Sequence, residues 1–208
     1  MSDTKTSHGK PNESATLAFD FGSNWEAFSD AKLDARRLQS TVQSLRELIG
    51  TENVAGRTFL DIGCGSGLFS IAAALCGAAR VVGFDINPTG IEVCKRNVAR
   101  FADHVGLVTV PHFCVGSVLD NEFLSGLGVF DVVYAWGSLH HTGDMWQSIH
   151  NAASLVKPKE GTLIIAIYNR HWTSPVWKQI KFLYNLSSRP VRWLLNYLFG
   201  ALIYAGCG

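Results

Sequence analysis

Phe59-Leu60-Asp61-Ile62-Gly63-Cys64-Gly65-Ser66-Gly67-Leu68 decides how this chain folds. An apolar run ends in an acid, glycines follow at every second position, and an amphipathic segment begins behind them. The pattern predicts a buried strand that turns sharply into a helix, with glycines that let a ligand lie against bare backbone. Eighteen residues beyond Gly67, a second apolar run, Val81-Val82-Gly83-Phe84-Asp85, also ends in an acid. Strand, glycine loop, helix, strand and carboxylate read together as one nucleoside-binding unit.

Outward from this unit, strands and helices alternate. Leu68 to Leu75, rich in Ala and Ile, is expected to be a short helix packed on a sheet. Ile91 to Phe101 is a second helix, opened by Asn87-Pro88-Thr89-Gly90, because proline is tolerated in a first turn. A third strand is expected over Gly106 to Cys114, before Gly116-Ser117-Val118-Leu119-Asp120, with Leu124 in a short helix or turn. Val129 to Ala135 reads as a fourth strand that breaks at Trp136-Gly137. Met145 to Leu155 reads as a helix that stops at Lys157-Pro158, and Thr162 to Tyr168 as a fifth strand. This rhythm predicts an α/β fold: a doubly wound, mostly parallel sheet with helices on both faces. Right-handed crossovers then gather the loops after the strands along one edge, where ligands bind. The loops near positions 63, 85, 117 and 136 all fall there.

Upstream, residues 1–18 carry almost no apolar anchor and are expected to form a disordered arm. Phe19, Phe21, Trp25 and Phe28 then form an aromatic cluster. It reads either as a cover packed on the sheet edge or as an arm that folds over a bound ligand. One helix is expected next, with Ser29 or Asp30 as its N-cap and an apolar stripe of Ala31, Ala35, Leu38, Val42, Leu45 and Ile49. Gly50 ends it. Arg36 and Arg37 lie off the stripe, as a solvated face or as cations able to reach an anionic group at the site mouth.

A chain of 208 residues suffices for one such domain and is short for two. Hydrophobic residues at 47% with 17% charged place it in the soluble globular class. A net charge of +1 leaves no electrostatic footprint for nucleic acid, for which a domain pI above ~9 is the usual sign. The five cysteines show neither C-x-x-C nor metal-type spacing, so reduced thiols in a cytoplasmic protein, and no metal, are expected.

The runs LDIGCGSG, GFDINP, GSVLD and FDVVYAWGSLHH, in that order, resemble the class I S-adenosylmethionine-dependent methyltransferases. The similarity spans residues 19–170 and is greatest to the small-molecule branch that includes the ubiquinone and menaquinone biosynthesis enzymes. It implies a Rossmann-like fold, S-adenosyl-L-methionine as cofactor and a small-molecule acceptor, with oxygen as the expected acceptor atom. By the same resemblance, Gly63, Gly65 and Gly67 turn against the methionine part of the cofactor, and Asp61 orients its amino group. Asp85 accepts the ribose hydroxyls, Ile86 packs on adenine, and Ser117 and Val118 hold the adenine edge. Ser117 departs from the Asp of many relatives, so that hydrogen bond is expected either to be weaker here or to fall to backbone or Asp120. Ala135 and Trp136 border the reactive methyl. His140 or His141 is the candidate general base, against the alternative that one of them caps the next helix or holds the loop.

Absent signatures narrow the acceptor. The chain has Ala135-Trp136-Gly137-Ser138 where nucleobase amino-methyltransferases commonly carry Pro-Pro-Tyr or Pro-Pro-Phe, and it has no Pro-Cys. Nucleic acid is disfavoured, with tRNA left open. An NAD-dependent oxidoreductase is the rival enzyme class. It wants G-x-G-x-x-G, and here Leu68 stands in place of the third glycine. A non-catalytic cofactor-binding module is the third reading.

Beyond residue 170 the pattern changes. Pro175 to Leu186 reads as a helix with one apolar face, and Val191 to Ala205 is apolar but for Arg192, Asn196 and Gly200. The latter run is shorter than the ~20 residues that span a bilayer. Residues 171–208 are therefore expected to be an atypical helical tail. It is open to four readings: a buried helix, an interfacial helix beside a lipid-like substrate, a peripheral membrane contact, or the start of a region cut short at Gly208. The strands six and seven usual to the family are not readable in it, and oligomeric state is not encoded legibly.

Overall fold

A computed structural model describes residues 21–105, 107, 109–169 and 172–206 of the chain. The expected arm over residues 1–18, Phe19 and part of the segment assigned to the third strand lie outside the described residues. The glycine-rich stretch does convert a strand into a helix: β1 (Thr58–Ile62) leads into α3 (Leu68–Leu75). Two helices, α1 (Phe21–Lys32) and α2 (Ala35–Ile49), precede it. Then follow β2 (Arg80–Asp85), α4 (Pro88–Val105), β3 (His112–Val115), α5 (Asn121–Ser125), β4 (Val132–Trp136), α6 (Met145–Ser154) and β5 (Thr162–Ala166).

The sheet order is β3-β2-β1-β4-β5 and every pairing is parallel. Winding reverses between β1 and β4, and open α/β sheets form their ligand crevice outside the strand ends at such a point. Register sets the acids: Asp61 lies between Gly83 of β2 and Tyr134 of β4.

Strand alternation sends side chains into two layers. Leu60, Ile62, Val82, Phe84, Val133 and Ala135 form one core with Leu139 and Ala152. Phe59, Val81, Val132 and Tyr134 form the other, under α2 and α3, with Leu45 and Ala72. Burying a Phe or Leu side chain contributes about 1.5–3 kcal/mol, so these two layers fix where every strand ends.

Three expectations are corrected. The helix expected from Ala31 to Ile49 is two helices. The chain breaks at Asp34, whose extended backbone (φ −130°) lets its carboxylate accept the Arg37 N–H at 2.8 Å as the N-cap of α2. The apolar stripe runs through the break because Ala31 and Ala35 keep the four-residue spacing across it. Ser29 is no cap; it is buried and its hydroxyl donates to Asn97 Oδ1. The third strand begins at His112, later than expected.

Two acids are structural. Asp120 caps α5 by accepting the N–H groups of Glu122 and Phe123. Asp131 accepts the Thr58 N–H at 3.0 Å and its hydroxyl at 2.8 Å, and pairs with Lys157 at 3.0 Å. Those bonds, the Thr58 N–H foremost, hold its carboxyl down at about 2.

The chain divides into two compact units, Met1–Ile167 and Tyr168–Gly208. The second is a helical hairpin of α7 (Ser174–Leu186) and α8 (Arg189–Gly206). Arg192 closes it: Nε donates to the Tyr184 carbonyl at 3.0 Å, Nη2 to the Asn185 carbonyl at 2.7 Å, and the guanidinium stacks 5.6 Å over the Tyr184 ring. Among the described residues no helix is long and apolar enough to cross a membrane.

Candidate active site

The loop between β1 and α3 needs its glycines twice over. Gly63, Gly65 and Gly67 have φ of 71°, 55° and 73°, a region costly for residues with a side chain. A Cβ on each would also collide: with Ser138 at 2.5 Å, with the Trp25 indole at 2.6 Å, and with Phe113 at 2.9 Å. The loops after β1 and β4 therefore touch at the switch point, and the Ser138 hydroxyl latches them by donating to the Ile62 carbonyl at 2.8 Å. Trp25 brings α1 against the glycine turn.

A buried polar relay ties the same elements together. Ser29 donates to Asn97, and Asn97 Nδ2 donates to the Ser66 carbonyl in the glycine loop at 2.9 Å. Ion pairs of Arg96 with Glu26 and Asp30 hold α1 to α4 outside it. The Cys94 thiol donates to the Gly65 carbonyl at 3.2 Å.

Two carboxylates meet this loop. Asp85 uses one oxygen to accept the Gly65 N–H at 3.1 Å and the other to accept the Asn87 N–H at 2.9 Å. Each oxygen keeps a second lone pair. Asp61 is 3% exposed and accepts the Ser70 hydroxyl at 2.6 Å. Burial foremost pushes its carboxyl up to about 7, with the charge of Asp85 adding and the Ser70 hydroxyl opposing. No ion pair among the described residues involves Asp61 or Asp85. A buried and a partly buried carboxylate, neither in an ion pair among the described residues, suit a positively charged ligand, and the glycine turn beside them leaves backbone open to contact.

The remaining expected residues divide. Ile86 is 73% exposed directly beyond Asp85, an apolar surface beside the acid. Ser117 accepts the Leu119 N–H, closing its own turn. Val118 and Ala135 are core side chains, so at these positions only backbone faces the loops, and the Val118 carbonyl already accepts from Asn151. Trp136 is half exposed and stacks on Tyr134 at 5.9 Å and 8°. The two rim a recess of about 350 Å³ with Ser44, Glu47, Leu48 and Phe69. The Tyr134 hydroxyl is buried there with no hydrogen-bond partner among the described residues, and burial raises its pKa. A larger depression, about 880 Å³, follows α2 and Leu75 and contains none of the strand-end residues, so volume alone does not mark the site.

His140 and His141 sit in a short 3-10 turn (Leu139–His141) after β4, rings 4.0 Å apart. Burial first, then the neighbouring imidazole, lowers the His140 pKa from its ordinary value. The α6 N-cap role falls to Asp144, which accepts the Gln147 N–H at 3.0 Å. Among the described residues no group of three metal-ligating side chains comes together.

Ser70, Asn97 and Ser138 were not singled out from the sequence, and Trp25 was named only as one of the aromatic cluster, without its contact with the glycine turn. Asn97 alone carried a signal: it is a polar residue beside Cys94, Val98 and Phe101 on the buried side of α4.

A family model described as "Methyltransferase domain" matches residues 35–198, and the chain belongs to that family. It is 35% identical over 125 residues to the ubiquinone biosynthesis O-methyltransferase of Methylobacterium sp. (strain 4-46), covering 60% of this chain and 46% of that protein. It is 48% identical over 54 residues to the ribosomal protein L11 methyltransferase of Pseudomonas aeruginosa (strain LESB58), covering 26% of this chain and 18% of that one. The chain thus spans less than half the length of these curated relatives. Among solved structures, magnesium protoporphyrin IX methyltransferase from Synechocystis PCC 6803 with bound SAH matches with a TM-score of 0.58 at 21% identity. That match covers 82% of this chain and 77% of that one, and it is a likeness of fold.

Proposed function

We propose that this chain is an S-adenosylmethionine-dependent methyltransferase acting on an oxygen of a small molecule. The observation that carries the reading is the pair Asp61 and Asp85, without a cation between them, around a glycine turn at the switch point. The ubiquinone-biosynthesis relative supports the small acceptor and its oxygen; the SAH-bound fold neighbour supports the cofactor.

In this reading residues 19–170 are the cofactor-binding body and 171–208 a separate helical tail. The free thiols Cys64, Cys76, Cys94 and Cys114 support a reducing, cytoplasmic setting. Asp85 accepts two adjacent ribose hydroxyls, since each of its oxygens retains a lone pair. Asp61 takes the cofactor's ammonium group, Ile86 covers adenine, and backbone of residues 117–118 bounds its edge. Bound S-adenosylmethionine supplies an electrophilic methyl on a sulfonium, open to in-line attack. The protein's contribution is then mostly positioning, with Trp136 bounding the attack face. His140 or His141 removes the acceptor proton; an imidazole kept neutral near pH 7 is the group for that task.

Thermal unfolding tests the site. S-adenosylmethionine raises Tm, NAD leaves it unchanged, and Asp85→Ala abolishes the rise; an undiminished rise in that variant removes the site assignment. With methyl-labelled cofactor and phenolic acceptors, His140→Ala or His141→Ala lowers kcat about 10²–10⁴-fold at unchanged cofactor affinity. Full turnover by both variants eliminates the base.

A further inference from the structure

We propose that the α7–α8 hairpin docks on the surface of an anionic lipid bilayer. The first observation is charge. Residues 168–208 carry Arg170, Lys178, Lys181, Arg189 and Arg192 and no Asp or Glu, a net +5. Residues 1–167 carry 13 Lys and Arg against 17 Asp and Glu, a net −4, so the near-neutral chain conceals two oppositely charged units.

The second observation is what stands between the cations. Phe182, Leu183 and Leu186 of α7, and Trp193, Leu194 and Tyr197 of α8, are each half exposed or more. No described residue of either helix is buried. Ile180, Tyr184, Arg192 and Leu195 are among the sheltered positions, and Arg192 and Asn196 reach Tyr184 across the hairpin. The sides turned away from this seam therefore carry aromatic and aliphatic groups flanked by Lys178, Lys181 and Arg189, all exposed. Helices of this composition lie in the headgroup region, with apolar side chains inserted a few ångströms and cations on anionic lipid. Trp and Tyr favour that depth because their rings are apolar and their edges polar. Among the described residues no helix is long and apolar enough to cross a membrane, and cations flanking exposed apolar side chains suit an interfacial arrangement.

Other occupants fit less well. A second copy of the hairpin would set one +5 surface against another. A nucleic acid would satisfy the cations and leave the aliphatic side chains wet. An anionic bilayer satisfies both at once.

The test is co-sedimentation of the full chain with vesicles of phosphatidylglycerol and phosphatidylcholine in equal parts, against phosphatidylcholine alone. At low salt the anionic vesicles retain at least about tenfold more protein, and high salt releases it. Lys178→Glu, Lys181→Glu and Arg189→Glu together lower retention about a hundredfold. The Tm rise with S-adenosylmethionine is the same in both proteins, whatever its size, because none of these residues belongs to the proposed site. Wild-type retention and its salt release are read without any variant, so a misfolded variant does not void the test. Equal retention on both lipids, no retention, retention indifferent to salt, or capture of a 20-residue RNA with vesicles left free overturns the proposal. None of these readouts needs methyl transfer, so the proposal fails or survives apart from the activity.

Discussion

The two units of this chain stabilise themselves differently. In the body, strands are covered on both faces, and Phe59, Leu60, Phe84 and Tyr134 are almost wholly out of water. The described side chains of the hairpin show the opposite: Tyr184 and Arg192 meet across it, while Phe182, Leu183, Trp193 and Leu194 are half exposed or more. A loop fixed by two core layers can hold strained glycines and an unpaired acid at a set distance. The exposed side chains of the hairpin are the ones the bilayer proposal rests on.

The largest test of that contrast is in the cores. Phe59→Ala costs about 3–5 kcal/mol by lost burial and the cavity left behind. Phe182→Ala, 60% exposed, changes stability by less than ~0.5 kcal/mol. Chemical denaturation of both variants measures the ratio, and comparable losses would mean that the hairpin has a core of its own.

Gly65→Ala follows. With φ at 55° and the Trp25 indole at the new Cβ, the variant loses about 2–3 kcal/mol and its cofactor-dependent Tm rise. A variant as stable as the parent would show that α1 does not press on the loop.

Asp61→Asn goes the other way. The folded protein holds that proton up to about pH 7, far above the unfolded carboxylate value, so it binds more protons than the unfolded chain. This group's contribution to stability therefore falls as pH rises from about 4 through 7. Asparagine keeps an acceptor for Ser70 and carries no charge. It stabilises the unliganded protein by about 1–3 kcal/mol at pH 8 and by nothing near pH 4, while weakening cofactor binding. Tm measured at both pH values decides it.

A smaller effect than at Asp61 is expected at Asp131. Its carboxyl is held at about 2, below the unfolded value, so its stabilisation is complete above about pH 4 and lost as pH falls toward 2. Lys157 is half exposed and screened, so Asp131→Ala costs about 1 kcal/mol at pH 7, mainly through Thr58. An equal loss at pH 2 would contradict the assignment.

Much of the body was legible because its signals are local. The strand-to-helix turn at Gly63–Gly67, the acid ending β2 and the proline opening α4 each follow from a few neighbouring residues. The break at Asp34 was not, because Ala31 and Ala35 keep the helical spacing across it. The family resemblance, not the residues' own pattern, placed Val118 and Ala135 at the ligand. Their side chains lie in the core, which leaves backbone at those positions to face the loops. The contacts of Trp25 with Gly65 and of Asn97 with Ser66 join segments far apart in sequence, and no spacing announces them. In the tail, residue-level apolarity was plain, but the seam at Arg192 and Tyr184 emerged only with the hairpin.

The central claim is that Asp61 and Asp85 make the switch-point loop a site for a cation. Calorimetric titration with S-adenosylmethionine at pH 6 and pH 8, in buffers of different ionisation enthalpy, tests it most directly. At pH 6 Asp61 is protonated, and a bound ammonium favours its carboxylate. Binding should therefore release close to one proton and be up to about tenfold weaker than at pH 8, where no proton is released. Equal affinity at both pH values with no proton release, or binding of NAD in place of S-adenosylmethionine, would contradict the account.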